Sequence, residues 1–432
     1  MPGLCVGVGV RDITPAPGLP LWGYSNRLGP ATGTLDPLYA KTVAFRVGEM
    51  IVAWVVLDLG RVPMPGDCDE IRRRVSDTGV RHVVFHATHT HHAPTMELIE
   101  GDPRKTLLAG IEASIREAVS NLTLARLGFV HAEIDIAHNR RKLTKDGRCF
   151  MVWRNEARVP TSPVDKIATV IKFDSEDGKP LAVLVHYACH PVVMDASNLE
   201  YSGDYVGTLT RIVSGMTDAP CIFLQGACGD INPYLDKTPL EEGGIDSAFT
   251  TGRIAAEAIL AALHGIRMES AEHPSLGFAE TMVKVGTRWD FNDESQRELI
   301  RGIQSRLFDR YMKNLTPDLS VPVCALIVNN ELALVGMPGE YYVQFQIELK
   351  RIALVRHSLI CGYVNDYQAY FPPIAHAAAG GYGGTMASFV GVGAAERMFA
   401  ESQILLFRLL GRITPTCSLE DFVIHDQGPI PD

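Results

Sequence analysis

The sequence predicts an α/β protein built from layered, mixed β-sheets with helices packed outside them. Three observations carry this expectation. Short β-branched runs bounded by Gly, Pro or charged turns recur along the chain. Segments with apolar positions at helical spacing interleave with them. Several strand runs also follow one another with no helix between, which an all-parallel sheet does not allow. Composition agrees: 46% hydrophobic and 21% charged over 432 residues is globular and excludes wholesale disorder.

Taken in order, β-type runs lie at 3–10, 40–47, 51–60 and 81–88, with a helical pattern at 67–77 between the last two. A helix at 102–121 precedes runs at 125–136, 164–173 and 179–189. The next helix, 204–216, leads into a run at 220–227. Residues 245–264 form the clearest helical pattern, with Gly265 just beyond as a stop. Later runs fall at 275–285, 321–330, 331–337 and 357–364, with helices at 292–313, 339–352 and 391–410. Glu340 is read as beginning the helix after the turn Met337-Pro338-Gly339. The closing HDQGPIPD, from about 425, reads as a polar, Pro-broken tail. No repeat, linker or boundary divides residues 1–432, so they are read as one large domain.

Lys and Arg total 40 against 50 Asp and Glu, a net charge of −10. Nucleic acid or an anionic membrane surface needs a clustered basic footprint, so neither is expected as a partner. No run of eighteen apolar residues exists, so no transmembrane segment is expected. The N-terminal MPGLCVGVGVRDITP lacks the basic and apolar regions of a secretory signal. Nine scattered cysteines without a CxxC pair read as reduced thiols, which places the protein in the cytoplasm. The sequence leaves room for a homo-oligomer.

Four of the fourteen histidines fall within HATHTHH, at 86, 89, 91 and 92. This segment directly follows an apolar strand, where α/β proteins place ligand groups. His89 and His91 are two apart, so in extended chain their imidazoles share a face. A solvated polar loop is the plain alternative. His190 ends a second apolar strand, in HYACHP, and could also be a satisfied core residue; His186, inside that strand, reads as structural. Glu340 follows a strand and a tight turn, although an acid in a first helical turn complements the helix dipole without further function. Asn365, Asp366, Tyr367 and Tyr370 follow the last strand run, where tyrosines usually pack. CIFLQGACGDINPY carries Asp230 and Asn232 on a Gly-rich turn without the Lys-Ser/Thr of a phosphate loop. Two histidines, a glutamate and further polar groups at strand ends suggest a zinc site with an open position.

The chain resembles the neutral, non-lysosomal ceramidases and their shorter bacterial relatives. The resemblance runs through Gly7-Val8-Gly9 with Asp12-Ile13-Thr14, Gly23-Tyr24, LDPLYAKTVAF and LDLG at 57–60. It continues through ATHTHHAP at 87–94, NRR at 139–141, HYACHP at 186–191, SGDYVG at 202–207 and GACGDINP at 226–233. MPGE at 337–340 and GYVNDYQAY at 362–370 complete it. The resemblance implies a ceramidase-like catalytic-domain fold and one zinc ion per chain, held by His89, His190, Glu340 and Tyr370. It implies that His91 lies beside the metal as proton carrier or substrate contact, and that Arg140 faces a substrate carbonyl or another anionic group. Asp58, Asp204 and Asp230 are candidates to orient ligand imidazoles.

Two departures shape the expected chemistry. Asn232 stands where the family's ceramidases carry a serine, and an amide is no acyl-accepting nucleophile, which leaves attack by zinc-activated water. FPPIAHAAAGGYGG replaces the family's later glutamates and tyrosines, and the sequence ends soon after its last helix, so no immunoglobulin-like domain is expected. The expected activity is therefore zinc-dependent hydrolysis of an amide (N-acyl) bond in a small soluble substrate. Ester or lactone hydrolysis at the same site, and a non-catalytic metal- or ligand-binding relative, are the alternatives.

Overall fold

The computed structural model describes residues 3–290, 292–303, 317–352 and 354–412. Its larger sheet has eight strands. In spatial order they are Cys221–Gln225, Pro180–Tyr187, Ile167–Ser175, Thr123–Glu133, Cys5–Asp12, Tyr39–Val47, Met50–Leu57 and His82–Ala87. The pair at each end is parallel and every pair between is antiparallel. A parallel pair needs a crossover. The helices Asp204–Thr217 and Pro65–Arg74 lie in the two crossovers.

The end strands of this order come back within hydrogen-bonding reach of each other. His86 Nε2 lies 3.2 Å from the Gln225 carbonyl. Gln225 Nε2 donates to the carbonyls of Thr88 (3.1 Å) and Cys189 (3.0 Å). Segments 88–92 and 189–193, which leave two different strands, are thereby tied through one side chain.

A second sheet of four strands runs Leu276–Lys284, Ser320–Val328, Leu332–Gly336 and His357–Cys361, the last two parallel across the helix Val343–Ile352. Phe45, Trp54, Phe173 and Leu184 of the larger sheet share a buried cluster with Leu326, Leu334 and Leu359 of the smaller. On the other face of the larger sheet, Phe85, Val170 and Val185 cluster with helix residues Ile111, Ile115 and Val213. Beyond the smaller sheet, Val335 and Ile360 cluster with Leu349, Met398 and Leu405 of two helices. The layers therefore run helices, sheet, sheet, helices, as the strand and helix patterns require. Each large apolar side chain removed from water contributes about 1.5–3 kcal/mol. Trp54, fully buried, satisfies its one donor on His86 Nδ1 at 3.2 Å.

Each β-type run of the sequence is a strand of one of these two sheets. Helix ends differ more. The helix expected at 67–77 is Pro65–Arg74, because Ser76–Thr78 tightens into a 3₁₀ turn closed by Gly79 at φ 82°. The expectation that Glu340 begins a helix is corrected: Glu340–Tyr341 is a short strand parallel to Tyr370–Phe371, and the helix starts at Val343. The Glu340 amide donates to the Ala369 carbonyl at 2.8 Å, which holds the backbone extended. Of the helix expected at 292–313, Glu294–Ile303 is described and the remainder lies outside the described residues, as do Cys417 and the tail from 425. The eight described cysteines are free thiols. No described helix is long and apolar enough to cross a membrane.

Candidate metal centre

The two parallel end pairs deliver the histidines. His82–Ala87 runs into Thr88 and His89, whose amides donate to the Leu57 and Leu59 carbonyls at 2.9 Å each. This turn holds His89 at φ 69°, a conformation L-residues rarely adopt, and buries it completely. Pro180–Tyr187 runs into His190, whose amide donates to the Ile231 carbonyl at 3.0 Å. Glu340 and Tyr370 face each other as register partners in their short parallel pair. Four residues from four separate stretches of chain thus meet beneath the curled sheet.

The donor atoms are already sorted by their partners. His89 Nδ1 donates to the Gly60 carbonyl at 2.6 Å, and His190 Nδ1 donates to the Ile231 carbonyl at 3.0 Å. A carbonyl only accepts, so each Nδ1 carries the proton and each Nε2 offers a lone pair. His190 Nε2 stands 2.9 Å from Glu340 Oε2, and His89 Nε2 3.7 Å from Oε1. A lone pair and a carboxylate oxygen at 2.9 Å require a proton or a metal ion between them. His91 Nε2 lies 3.4 Å from His89 Nε2, and the donor atoms of His89, His91 and His190 all fall within 4.8 Å of one another, an arrangement that can hold a metal ion. The residues present therefore fit a small divalent cation.

Packing and charge reinforce the arrangement. Tyr363 stacks on His89 at 3.9 Å, while Trp22 meets both His89 and His91 edge-on at 5.0 and 5.1 Å. Burial depresses the His89 imidazole to about 3 against the pull of Glu340, and holds His91 well below its ordinary value; both are neutral near pH 7. Burial alone would raise the Glu340 carboxyl, but His89, His190 and the Tyr367 hydroxyl hold it at about 2. Tyr370 Oη accepts from Arg140 Nη2 at 2.9 Å, and the same nitrogen donates to the Gly229 carbonyl at 2.6 Å. Burial raises the Tyr370 phenol well above its usual range despite Arg140, so it is protonated in this environment.

The remaining residues singled out from sequence take other places. None of Asp58, Asp204 and Asp230 orients His89 or His190, because each carboxylate is occupied by backbone amides. Asp58 accepts from the Tyr39 amide, two residues before the Gly60 carbonyl that holds His89. Asp204 accepts from Val193, Met194 and Tyr205, fixing the turn after His190, and stands 3.6 Å from His92 rather than from His190. Asp230 accepts from the Val343 amide and from Asn139, bracing the helix after Glu340 and the strand before Arg140. Asn232 donates to Asp236 at 2.8 Å. His86 and His186 are structural, bonded to Trp54 and Gln225 and to Ile360.

Sequence reasoning missed Tyr367, whose hydroxyl donates to Glu340 Oε1 at 2.6 Å; its place in GYVNDYQAY was the available signal, read as packing. The orienting carbonyls of Gly60 and Ile231 left no signal at all, since every residue has one. Gly23 sets the position of His91: at φ 95°, a Cβ there would lie 2.4 Å from the His91 ring. Gly18, at φ 109°, has nothing within 4 Å of such a Cβ. Gly23→Ala is expected to cost about 1–3 kcal/mol more than Gly18→Ala, because both pay backbone strain and only the first displaces His91. Urea denaturation of the two variants checks this, and equal midpoints would refute the contact.

Fold and cluster together define an α/β protein with a buried centre able to hold a metal ion. The model for "Neutral/alkaline non-lysosomal ceramidase, N-terminal" matches residues 4–233, more than half of the chain. The chain belongs to that family. Among solved structures it is similar to neutral ceramidase from Pseudomonas aeruginosa, at 17% identity and a TM-score of 0.74, covering 100% of this chain and 77% of that one. It is likewise similar to a structure described as ceramidase complexed with C2, at 17% identity and 0.73, covering 100% and 78%. At this identity the likeness is one of fold.

Proposed function

We propose that this protein is a zinc-dependent amidohydrolase, one ion per chain, that cleaves the N-acyl bond of a small soluble substrate. The observation that carries the reading is the convergence of His89 Nε2, His190 Nε2 and the Glu340 carboxylate beside the Tyr370–Arg140 pair. Family membership supplies the amidohydrolase class. In this reading residues 1–432 act as one catalytic unit, and the eight free thiols support a reducing, cytoplasmic setting.

His89, His190, Glu340 and Tyr370 would hold the ion, with both imidazoles fixed in the Nε2-lone-pair tautomer by backbone carbonyls. Bound there, zinc polarises a carbonyl oxygen and makes water acidic near neutrality. Arg140 keeps Nη1 without a hydrogen-bond partner among the described residues, and it lies over the Tyr370 ring. Guanidinium and phenol are donors for the oxygen that becomes negative as the carbonyl is attacked. His91, neutral and with Nε2 facing His89 Nε2 at 3.4 Å, takes a proton from the attacking water and returns it to the leaving nitrogen.

The test is a turnover screen of the zinc-loaded protein against N-acyl amides of graded chain length, ceramides included. Hydrolysis of short soluble amides is expected; activity on ceramides alone, or on no amide, would sink the reading. His91→Ala separates proton carrier from ligand. It is expected to keep its zinc while amide turnover falls about 100-fold, with a smaller loss on an ester whose leaving group needs no acid. Loss of zinc in this variant would make His91 a ligand instead.

A further inference from the structure

Beyond Asn232 the chain makes a short turn that brings a second cation to the Trp153 ring that Arg140 also covers. Asn232 is fully buried, and its Nδ2 donates to Asp236 Oδ2. Asp236 can only accept, so the amide orientation is settled and Asn232 Oδ1 is the free end. That oxygen is buried and has no hydrogen-bond partner among the described residues. A buried acceptor left open costs about 1–3 kcal/mol unless something donates to it. Asp236, almost wholly buried, in turn receives Lys237 Nζ on both oxygens, at 2.8 and 2.7 Å. Lys237 sits at φ 53°, in the left-handed region, with its amide bonded to the Val192 carbonyl two residues past His190.

The ammonium shares an aromatic ring with Arg140 of the centre. It lies 4.4 Å from the Trp153 ring centroid, and Arg140 lies 5.0 Å from the same ring. With two of its three donors on Asp236 and its side chain 37% accessible, Lys237 keeps one N–H for an incoming group.

We infer that the substrate is a secondary amide bearing a carboxylate, of the N-acyl amino acid type: Asn232 Oδ1 accepts from the amide N–H and Lys237 binds the carboxylate. An N-acyl amino acid carries these two groups on either side of one carbon, and Asn232 and Lys237 are both held on one carboxylate, Asp236. The inference rests on the amide-hydrolase reading above and specifies its substrate.

The experiment compares an N-acyl amino acid with its uncharged carboxamide, by kcat/KM and by calorimetric affinity for the zinc-loaded protein. Lys237→Met alone would orphan the Asp236 carboxylate, so the decisive variant is Asp236→Asn/Lys237→Met, with Lys237→Arg as the conservative partner. Wild type is expected to prefer the carboxylate about 10- to 100-fold, the scale of one hydrogen bond to a charged group. The double variant loses that preference and Lys237→Arg keeps most of it. Equal affinity of wild type for the two compounds, or a preference that survives in the double variant, overturns the inference. Selective binding without hydrolysis of either compound would refute the amidase reading while leaving the carboxylate site intact.

Discussion

His190→Ala is expected to leave the protein folded but without retained zinc, and to lower amide turnover by on the order of 1,000-fold or more. His190 contributes no strand pairing that its backbone does not keep, since the amide bond to Ile231 survives the substitution. What disappears is the Nε2 that faces Glu340 at 2.9 Å. Glu340→Gln is the sharper companion. It keeps the shape and the backbone bond to Ala369 but removes the negative charge that two imidazoles and the Tyr367 hydroxyl surround. Metal content after desalting and near-UV circular dichroism separate loss of the ion from loss of the fold. Full zinc occupancy and turnover in both variants would falsify the assignment.

Arg140→Met is expected to lower kcat by about 100- to 1,000-fold with little change in KM, the signature of a donor felt mainly in the transition state. It should also cost stability. Arg140 is 4% exposed and lies over Trp153, Tyr370 and Tyr382, and its loss leaves the Gly229 carbonyl and the Tyr370 hydroxyl without their partner. Each buried group so orphaned costs about 1–3 kcal/mol. Tyr370→Phe supplies the comparison: it removes the hydroxyl, a proposed zinc ligand, and keeps the guanidinium, so both variants are assayed at equal zinc content. At equal zinc content, a kcat loss in Arg140→Met no larger than in Tyr370→Phe would mean that the arginine only positions the tyrosine.

The layers were legible because both sheets are buried on two faces, and such strands read as continuous apolar runs: Val52 to Leu57 is one unbroken buried stretch. His89, His91 and His190 were legible as polar residues ending those runs. Glu340 and Tyr370 were not separable from a helix-start acid and a packing tyrosine by pattern alone, and only the family resemblance set them apart. Their pairing joins residues 30 apart through a two-residue strand, too short to leave a periodicity. The aspartates misled because their chemistry suits a histidine partner, yet turn amides reached them first. Lys237 gave no signal, because a neighbouring Asp-Lys pair reads as an ordinary solvated turn, and the Trp153 ring beside it comes from elsewhere in the chain.

The sequence separation across the His190–Glu340 contact, 150 residues, has a kinetic meaning. His89 and His190 belong to the eight-stranded sheet's ends, whereas Glu340 follows a strand of the other sheet. Closing a loop of that length carries an entropic cost of about 4 kcal/mol before any contact offsets it. A ligand that needs both imidazoles and the carboxylate therefore finds no partial site on a half-folded chain. Affinity for it arises late, as the two sheets dock, and from then on the ligand works as a rivet between them, slowing their separation more than it hastens their meeting.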